Sequence, residues 1–244
     1  NGPSESDEKS FTVDKTAPAV SLTYIEEDNP LHGARYFQAG REAVLTVTDR
    51  NLDLDQSQIK ISISRSGKLE ADREEILYTV QELLDGAGNE FFSSRKVREQ
   101  ETEQGKAFTI ALSFKGDADY EIKSVHMEDM AEWSAEAVVK EGESLPENVQ
   151  ITGAAPYAFT VDTVDPELSL TYDDSGNTCY NGKYFQAGRE AVLTVTDRNL
   201  DLNQSQIKIS ISRSGKLHPH REEILYTVKE LLDGAGNQFF SCRK

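Results

Sequence analysis

A stretch of about 86 residues occurs twice in this chain without insertion or deletion: Phe11 to Lys96 returns as Phe159 to Lys244. FTVDKTAP becomes FTVDTVDP, YFQAGREAVLTVTDRNLDL recurs letter for letter as Tyr184–Leu202, and QSQIKISISRSGKL (Gln56–Leu69) recurs as Gln204–Leu217. About three-quarters of the aligned positions are identical, and a period of about 150 residues is the size of a domain, not of a solenoid unit. Tandem domains of this kind serve length, valency or reach more readily than single-site catalysis. The repeat also sets the expected boundaries. Residues 1–16 hold the last strand of a preceding repeat plus a linker, 17–162 form one complete repeat, and 163–244 form a truncated second one. With no initiating Met, the sequence is expected to be a piece of a longer array.

Within one repeat the hydrophobic pattern has period two. Val20, Leu22 and Tyr24 alternate with Ser21 and Thr23; Ala43, Leu45 and Val47 with Val44, Thr46 and Thr48; Ile59, Ile61 and Ile63 with Lys60, Ser62 and Ser64. Phe108–Phe114, Tyr120–Met127 and Tyr157–Val161 complete about six strands bounded by Gly, Asn, Asp and Pro turns. That pattern predicts an all-β fold of antiparallel sandwich type, since a parallel sheet would need a helix between most successive strands. One helix is predicted, Arg73–Leu84, with Ile76, Leu77, Val80, Leu83 and Leu84 on one stripe. Asp72 with Glu75 would cap its start, and Asp85-Gly86 would stop it. Tyr120, entering a strand after Asp117-Ala-Asp, stands where immunoglobulin-type sandwiches place a tyrosine corner.

Composition narrows the function classes. The net charge is −17, from 43 acidic and 26 basic residues. Duplex nucleic acid is gripped by Lys and Arg, so a nucleic-acid partner is disfavoured; an acidic surface suits solubility, repulsion along an array and cation binding. No apolar run reaches membrane-spanning length. Both cysteines, Cys179 and Cys242, lie in the second copy, where the first has Leu31 and Ser94. Their joint appearance in one copy is what a gained disulfide would look like, which would imply an oxidising, extracytoplasmic setting; two independent free thiols are the alternative.

With these residues placed, the repeat resembles a bacterial immunoglobulin-like repeat of the kind strung along large surface proteins of Gram-positive bacteria. The resemblance rests on FTVDKTAP (Phe11–Pro18), YFQAGREAVLTVTDRNLD (Tyr36–Asp53) and GDADYEIKSVHMEDMAEWS (Gly116–Ser134). In such repeats the last segment usually ends Asp-x-Ala-Gly-Asn; here Asp129 and Ala131 match, while Glu132 and Trp133 stand in the Gly and Asn positions. The resemblance implies tandem immunoglobulin-like sandwiches, each with a short helical insert, in a secreted or wall-anchored protein. They would act there as non-catalytic stalk or adhesive modules, with neighbouring repeats as partners and a host protein or glycan as a further one. The other class of function is a glycan- or protein-binding accessory to a secreted enzyme.

Some such arrays hold calcium at domain junctions, which here would draw on Asp14 and Asp162 at the junctions, Asp49 after the second strand, and Glu128 and Asp129 after the sixth. No other cofactor is expected, and the alternative is that these acids are simply turn residues. None of the four histidines recurs between copies, which suits no catalytic base; His218-x-His220 reads as a solvated loop. Asp85–Asn89 reads as a helix stop and turn rather than a phosphate loop. Trp133, the single tryptophan, either stacks on sugar or caps the core. Leu145–Asn148 reads as a linker. Because the second copy has no counterpart of Phe108–Val161, its Ile207, Ile209 and Ile211 face is expected to be poorly covered.

Overall fold

The structure, a computed structural model, describes residues 12–25, 35–64, 73–173, 175–182, 184–212 and 221–243. The strand expected at the start of the chain, the Asp72 cap, His32, His218 and His220 lie outside the described residues. The chain divides into two compact units, Asn1–Val164 and Asp165–Lys244.

The first unit is built almost wholly of strands. Strands β10 (Val149–Thr152), β1 (Ala19–Ile25), β3 (Arg41–Asp49), β7 (Gly105–Phe114) and β6 (Phe92–Thr102) form one sheet in that order. Strands β2 (Tyr36–Phe37), β11 (Ala158–Val161), β8 (Ala118–Glu128), β4 (Gln58–Ser64) and β5 (Arg73–Thr79) form the other, with β9 (Ser134–Val138) pairing the second half of β8. The six strands expected from alternation are all present. Two ladders depart from the antiparallel expectation: β1–β10 and β2–β11 run parallel. The chain reaches those edges through longer connections, so no hairpin dictates their direction.

Alternation decides what is buried. Val20, Leu22 and Tyr24 of β1, Ala43, Leu45 and Val47 of β3, Ile59, Ile61 and Ile63 of β4, and Ile110, Leu112 and Phe114 of β7 all point into one core. Each such aliphatic side chain contributes roughly 1.5–3 kcal/mol by leaving water. Phe114 sits amid Tyr24, Phe92, Tyr120 and Phe159, with ring centroids 5.2–6.1 Å away. The Tyr120 hydroxyl lies 2.8 Å from the Gly116 carbonyl and accepts from the Gly116 N–H at 3.1 Å, the bonding of a tyrosine corner. Arg41 is also inside, its guanidinium against Tyr24, Phe37 and Phe159 and donating to the carbonyls of Ala154 and Ala155.

The predicted helix is a correction. Arg73–Thr79 is strand β5, and only Val80–Asp85 is helical, as α1. Every residue of β5 pairs with β4, from Gln58↔Thr79 to Ser64↔Arg73, so the open edge of β4 claims the segment. The helix begins where a Thr first has Glu three positions on: Thr79 Oγ1 accepts from the Glu82 N–H and the Glu82 carboxylate accepts from the Thr79 N–H. It ends at Gly86, whose φ of 90° is left-handed, as the Asp85-Gly86 reading requires. The linker read at Leu145–Asn148 leads into β10, and Asn148 bonds to Pro18 and Val20, tying the approach to β10 onto β1.

The second unit repeats the local pairings of the first half. Strand β12 (Glu167–Asp173) pairs with β15 (Glu190–Thr196) as β1 pairs with β3, and β16 (Gln206–Ser212) pairs with β17 (Arg221–Thr227) as β4 pairs with β5. Short ladders β13 (Cys179–Tyr180) with β14 (Tyr184–Phe185) and β18 (Gly236–Asn237) with β19 (Phe240–Ser241) complete it, together with α2 (Val228–Leu232). Among the described residues of this unit Val228 is the one that is buried. Ile207, Ile209 and Ile211 are each half-buried, as expected for a face short of cover.

Candidate metal centre

Asp49 and Asp129 are the last members of core-facing rows. In β3 the row runs Ala43, Leu45, Val47, Asp49, so the alternation that buries the aliphatics also turns this carboxylate inward. The β8 row begins at even numbers, Ala118, Tyr120 and Ile122, and continues at odd ones, Val125 and Met127. The switch falls at a β-bulge: Ile61 pairs with Ile122 but Lys60 with Ser124, leaving Lys123 as the extra residue. Past that bulge Asp129 is the residue aimed inward, and Glu128 faces out, its carboxylate 3.1 Å from His126 Nε2.

Asp14, on the segment leading into β1, joins them. One carboxylate oxygen from each of Asp14, Asp49 and Asp129 lies within 4.8 Å of the others. Asp49 is 4% exposed and Asp129 2%. Each also caps its own turn: Asp14 Oδ1 accepts from the Thr16 N–H (3.0 Å), Asp49 Oδ1 from Asn51 (2.7 Å), and Asp129 Oδ1 from Ala131 (2.8 Å) and Trp133 (2.9 Å). That leaves Asp14 Oδ2 and Asp129 Oδ2 buried with no hydrogen-bond partner, and Asn51 Oδ1 is in the same condition. Sequence reasoning did not single out Asn51, although the Asp49-x-Asn51 spacing that makes this turn is in the sequence. The β6–β7 turn closes against this corner at Gly105, where φ is +117° and an added Cβ would sit 2.5 Å from the Arg50 backbone.

The electrostatics disfavour three bare carboxylates here and favour a counter-charge or a proton. Two full charges at this spacing repel by on the order of 3 kcal/mol at an effective dielectric near ~20. Burial pushes the Asp49 carboxyl above its ordinary value, and the carboxylates of Asp129 and Asp14 push it further; the Asn51 N–H and Arg50 oppose them. Orphaned buried oxygens with an all-oxygen, mainly anionic donor set fit a hard divalent cation of the calcium or magnesium kind and offer no ligand that a soft metal prefers.

Of the five acids expected at a calcium site, the structure therefore unites Asp14, Asp49 and Asp129 and leaves two apart. Glu128 is turned away by the bulge. Asp162 follows β11, whose last residue Val161 pairs with Ala118 at the start of β8, whereas Asp129 follows the end of β8. A strand of that length separates its ends by roughly 35 Å, so the acids that open and close one repeat stand at opposite ends of the sheet. Cys179 is exposed and Cys242 half-buried, and neither is bonded in the structure.

Trp133 does not cap the core. It is 48% exposed, on the turn that Asp129 organises, with Met130 exposed beside it. Glu132 in that turn has φ of 61°, a left-handed conformation that Gly adopts more readily. No protein-family model matches the chain, and no curated protein matches it. Among the described residues no helix is long and apolar enough to cross a membrane.

Proposed function

We propose that this chain is a non-catalytic tandem immunoglobulin-like repeat, a spacer of a secreted or wall-anchored bacterial surface protein, stiffened by calcium. The observation that carries this reading is the convergence of Asp14, Asp49 and Asp129 with carboxylate oxygens buried and unpartnered. The two sheets around one core and the tyrosine corner support an immunoglobulin-like sandwich. Asp14, Asp49 and Asp129 would hold the cation, which supplies only neutralising charge. The residues do the mechanical work: Asp14 fixes the segment that enters the repeat to the ends of β3 and β8, setting the direction in which the chain arrives. A spacer benefits from such a clamp, because a mobile junction shortens an array.

Exposed Trp133 and Met130 favour a second reading, an adhesive or accessory module that grips a glycan or host protein through this turn. The first reading is tested with terbium, a luminescent calcium substitute. Trp133 donates its backbone N–H to Asp129, so the chain's single tryptophan is placed to sensitise a bound ion. Saturable terbium emission that calcium competes away, and that Asp129→Asn abolishes, supports the cation clamp. Emission unchanged in Asp129→Asn overturns it.

A further inference from the structure

A cavity of about 580 Å³ lies against the acid corner of the first unit, lined by Asp14 and Asp49 but not by Asp129, which is 2% exposed. That volume is within the range of small-ligand sites. The Oδ1 of each acid is already held by an N–H of its own turn, while Asp14 Oδ2 and Asp129 Oδ2 are buried without a partner. A cation seated among the three would draw one oxygen from each, whereas calcium takes about six to eight. Asp129 closes the buried side, so the remaining positions face the cavity. We propose that this cavity is a saccharide subsite, in which two neighbouring hydroxyls of a neutral sugar complete the coordination of the cation. The proposal rests on the cation clamp and adds a ligand to it.

Three features of the cavity specify that ligand. The first is charge. Lys15, Arg50 and Glu103 line it together with Asp14 and Asp49. With Asp129 behind them, four carboxylates face two cationic side chains, so a divalent cation brings the corner to neutrality. A further anion would unbalance it, and a neutral oxygen donor would not. The second is the polar lining. Thr16, Thr48 and Gln104 carry hydroxyl and amide groups, which suit a ligand that both donates and accepts. Third, among the described residues no aromatic ring lines the cavity. Nothing there stacks on a sugar face, so affinity comes from the cation and from hydrogen bonds. Two hydroxyls on one ring fill two coordination positions for the ordering of a single ligand, an advantage that separate single donors lack. Sugar binding through this cavity therefore vanishes when the cation is removed, which binding by an exposed aromatic does not.

The test uses the whole chain. It is applied to an array of neutral oligosaccharides, once with calcium and once with a chelator, and calcium binding is measured separately by calorimetry. Binding is expected to sugars that carry neighbouring hydroxyls, and is expected to fall to background with the chelator. The strongest of them should displace about two waters from bound terbium, counted from emission lifetimes in light and heavy water. Gln104→Trp, which fills the cavity from the β6–β7 turn outside the acid cluster, should abolish sugar binding and leave the calcium isotherm unchanged. Asp129→Asn should abolish both. Calcium binding with no sugar bound, or with the water count unmoved by sugar, overturns the subsite and leaves the clamp standing. Sugar binding that survives the chelator or Gln104→Trp also overturns it, assigning the sugar to an exposed surface such as the Trp133 turn. Absence of calcium binding overturns clamp and subsite together.

Discussion

The first half of the first unit and the whole of the second have nearly the same sequence and the same cross-strand register, yet one half is core and the other surface. Leu45 of β3 is fully buried while Leu193, its counterpart in β15, is partly open. Register and turn chemistry are therefore properties of the local sequence: β4–β5 and β16–β17 pair identically, and both helices begin at a Thr–Glu capping box. Burial is a property of the other half-repeat. A strand pair with one apolar face open has little stability of its own, because isolated two-stranded ladders are marginal in water.

The sharpest way to break that comparison is to make the same substitution twice. Leu45→Ala is expected to cost about 2–5 kcal/mol in the first unit's denaturant transition, and Leu193→Ala under about 1 kcal/mol, since only the first leaves a cavity. Equal costs would show that the second unit buries its face in solution. Next in size is the cation. Calcium at about 100 times its dissociation constant should stabilise the first unit by about 2.7 kcal/mol and leave the second unmoved. Asp129→Asn should remove that increment while keeping the turn, because an amide oxygen still accepts from Ala131 and Trp133. Calorimetry with calcium and with chelator reads both.

Acid should separate the two states of the site. The folded chain holds the Asp49 proton more tightly than the unfolded one, so without cation this group disfavours folding as pH rises from the ordinary carboxylate value through its raised value. With calcium the trend reverses: the cation needs the ionised carboxylate, and the calcium increment is lost as pH falls through that raised value. Thermal melts against pH, with and without calcium, should therefore converge on acidification, and Asp49→Asn should flatten both. The smallest expected effect is on the shared cap. Thr79→Ala should cost about 1 kcal/mol in the first unit. Thr227→Ala should perturb α2 locally, visible by amide exchange, without shifting a cooperative transition.

What could be read in advance follows the same division. Strands with one clean alternating face were legible, as were Asp14, Asp49 and Asp129 among the acids expected to meet. Strand β6 was not, because beyond Ser94 it buries nothing: Arg95–Thr102 is an edge held to β7 by backbone bonds and carries no periodic signal. Arg73–Thr79 satisfied a helical stripe as well as a ladder, and the neighbouring β4 edge decided it. The inclusion of Glu128 failed because leaving the sixth strand does not say which of two adjacent acids faces inward, and the bulge at Lys123 decides it. Asp162 failed because a linear sequence does not say which end of a sheet a junction occupies.

The extra residue in β8 also bears on how such repeats diversify. Lys123 contributes no ligand, yet it sets the phase in which everything downstream is read, so that an aspartate rather than the preceding glutamate faces the corner. Straightening the strand with every residue kept would exchange the two and leave the corner without Asp129, whereas deleting Lys123 would remove the bulge and keep Val125, Met127 and Asp129 facing inward. A chain with every acid in place but no bulge would thus turn the glutamate toward the corner, a difference that a comparison of aligned acidic residues alone would not detect.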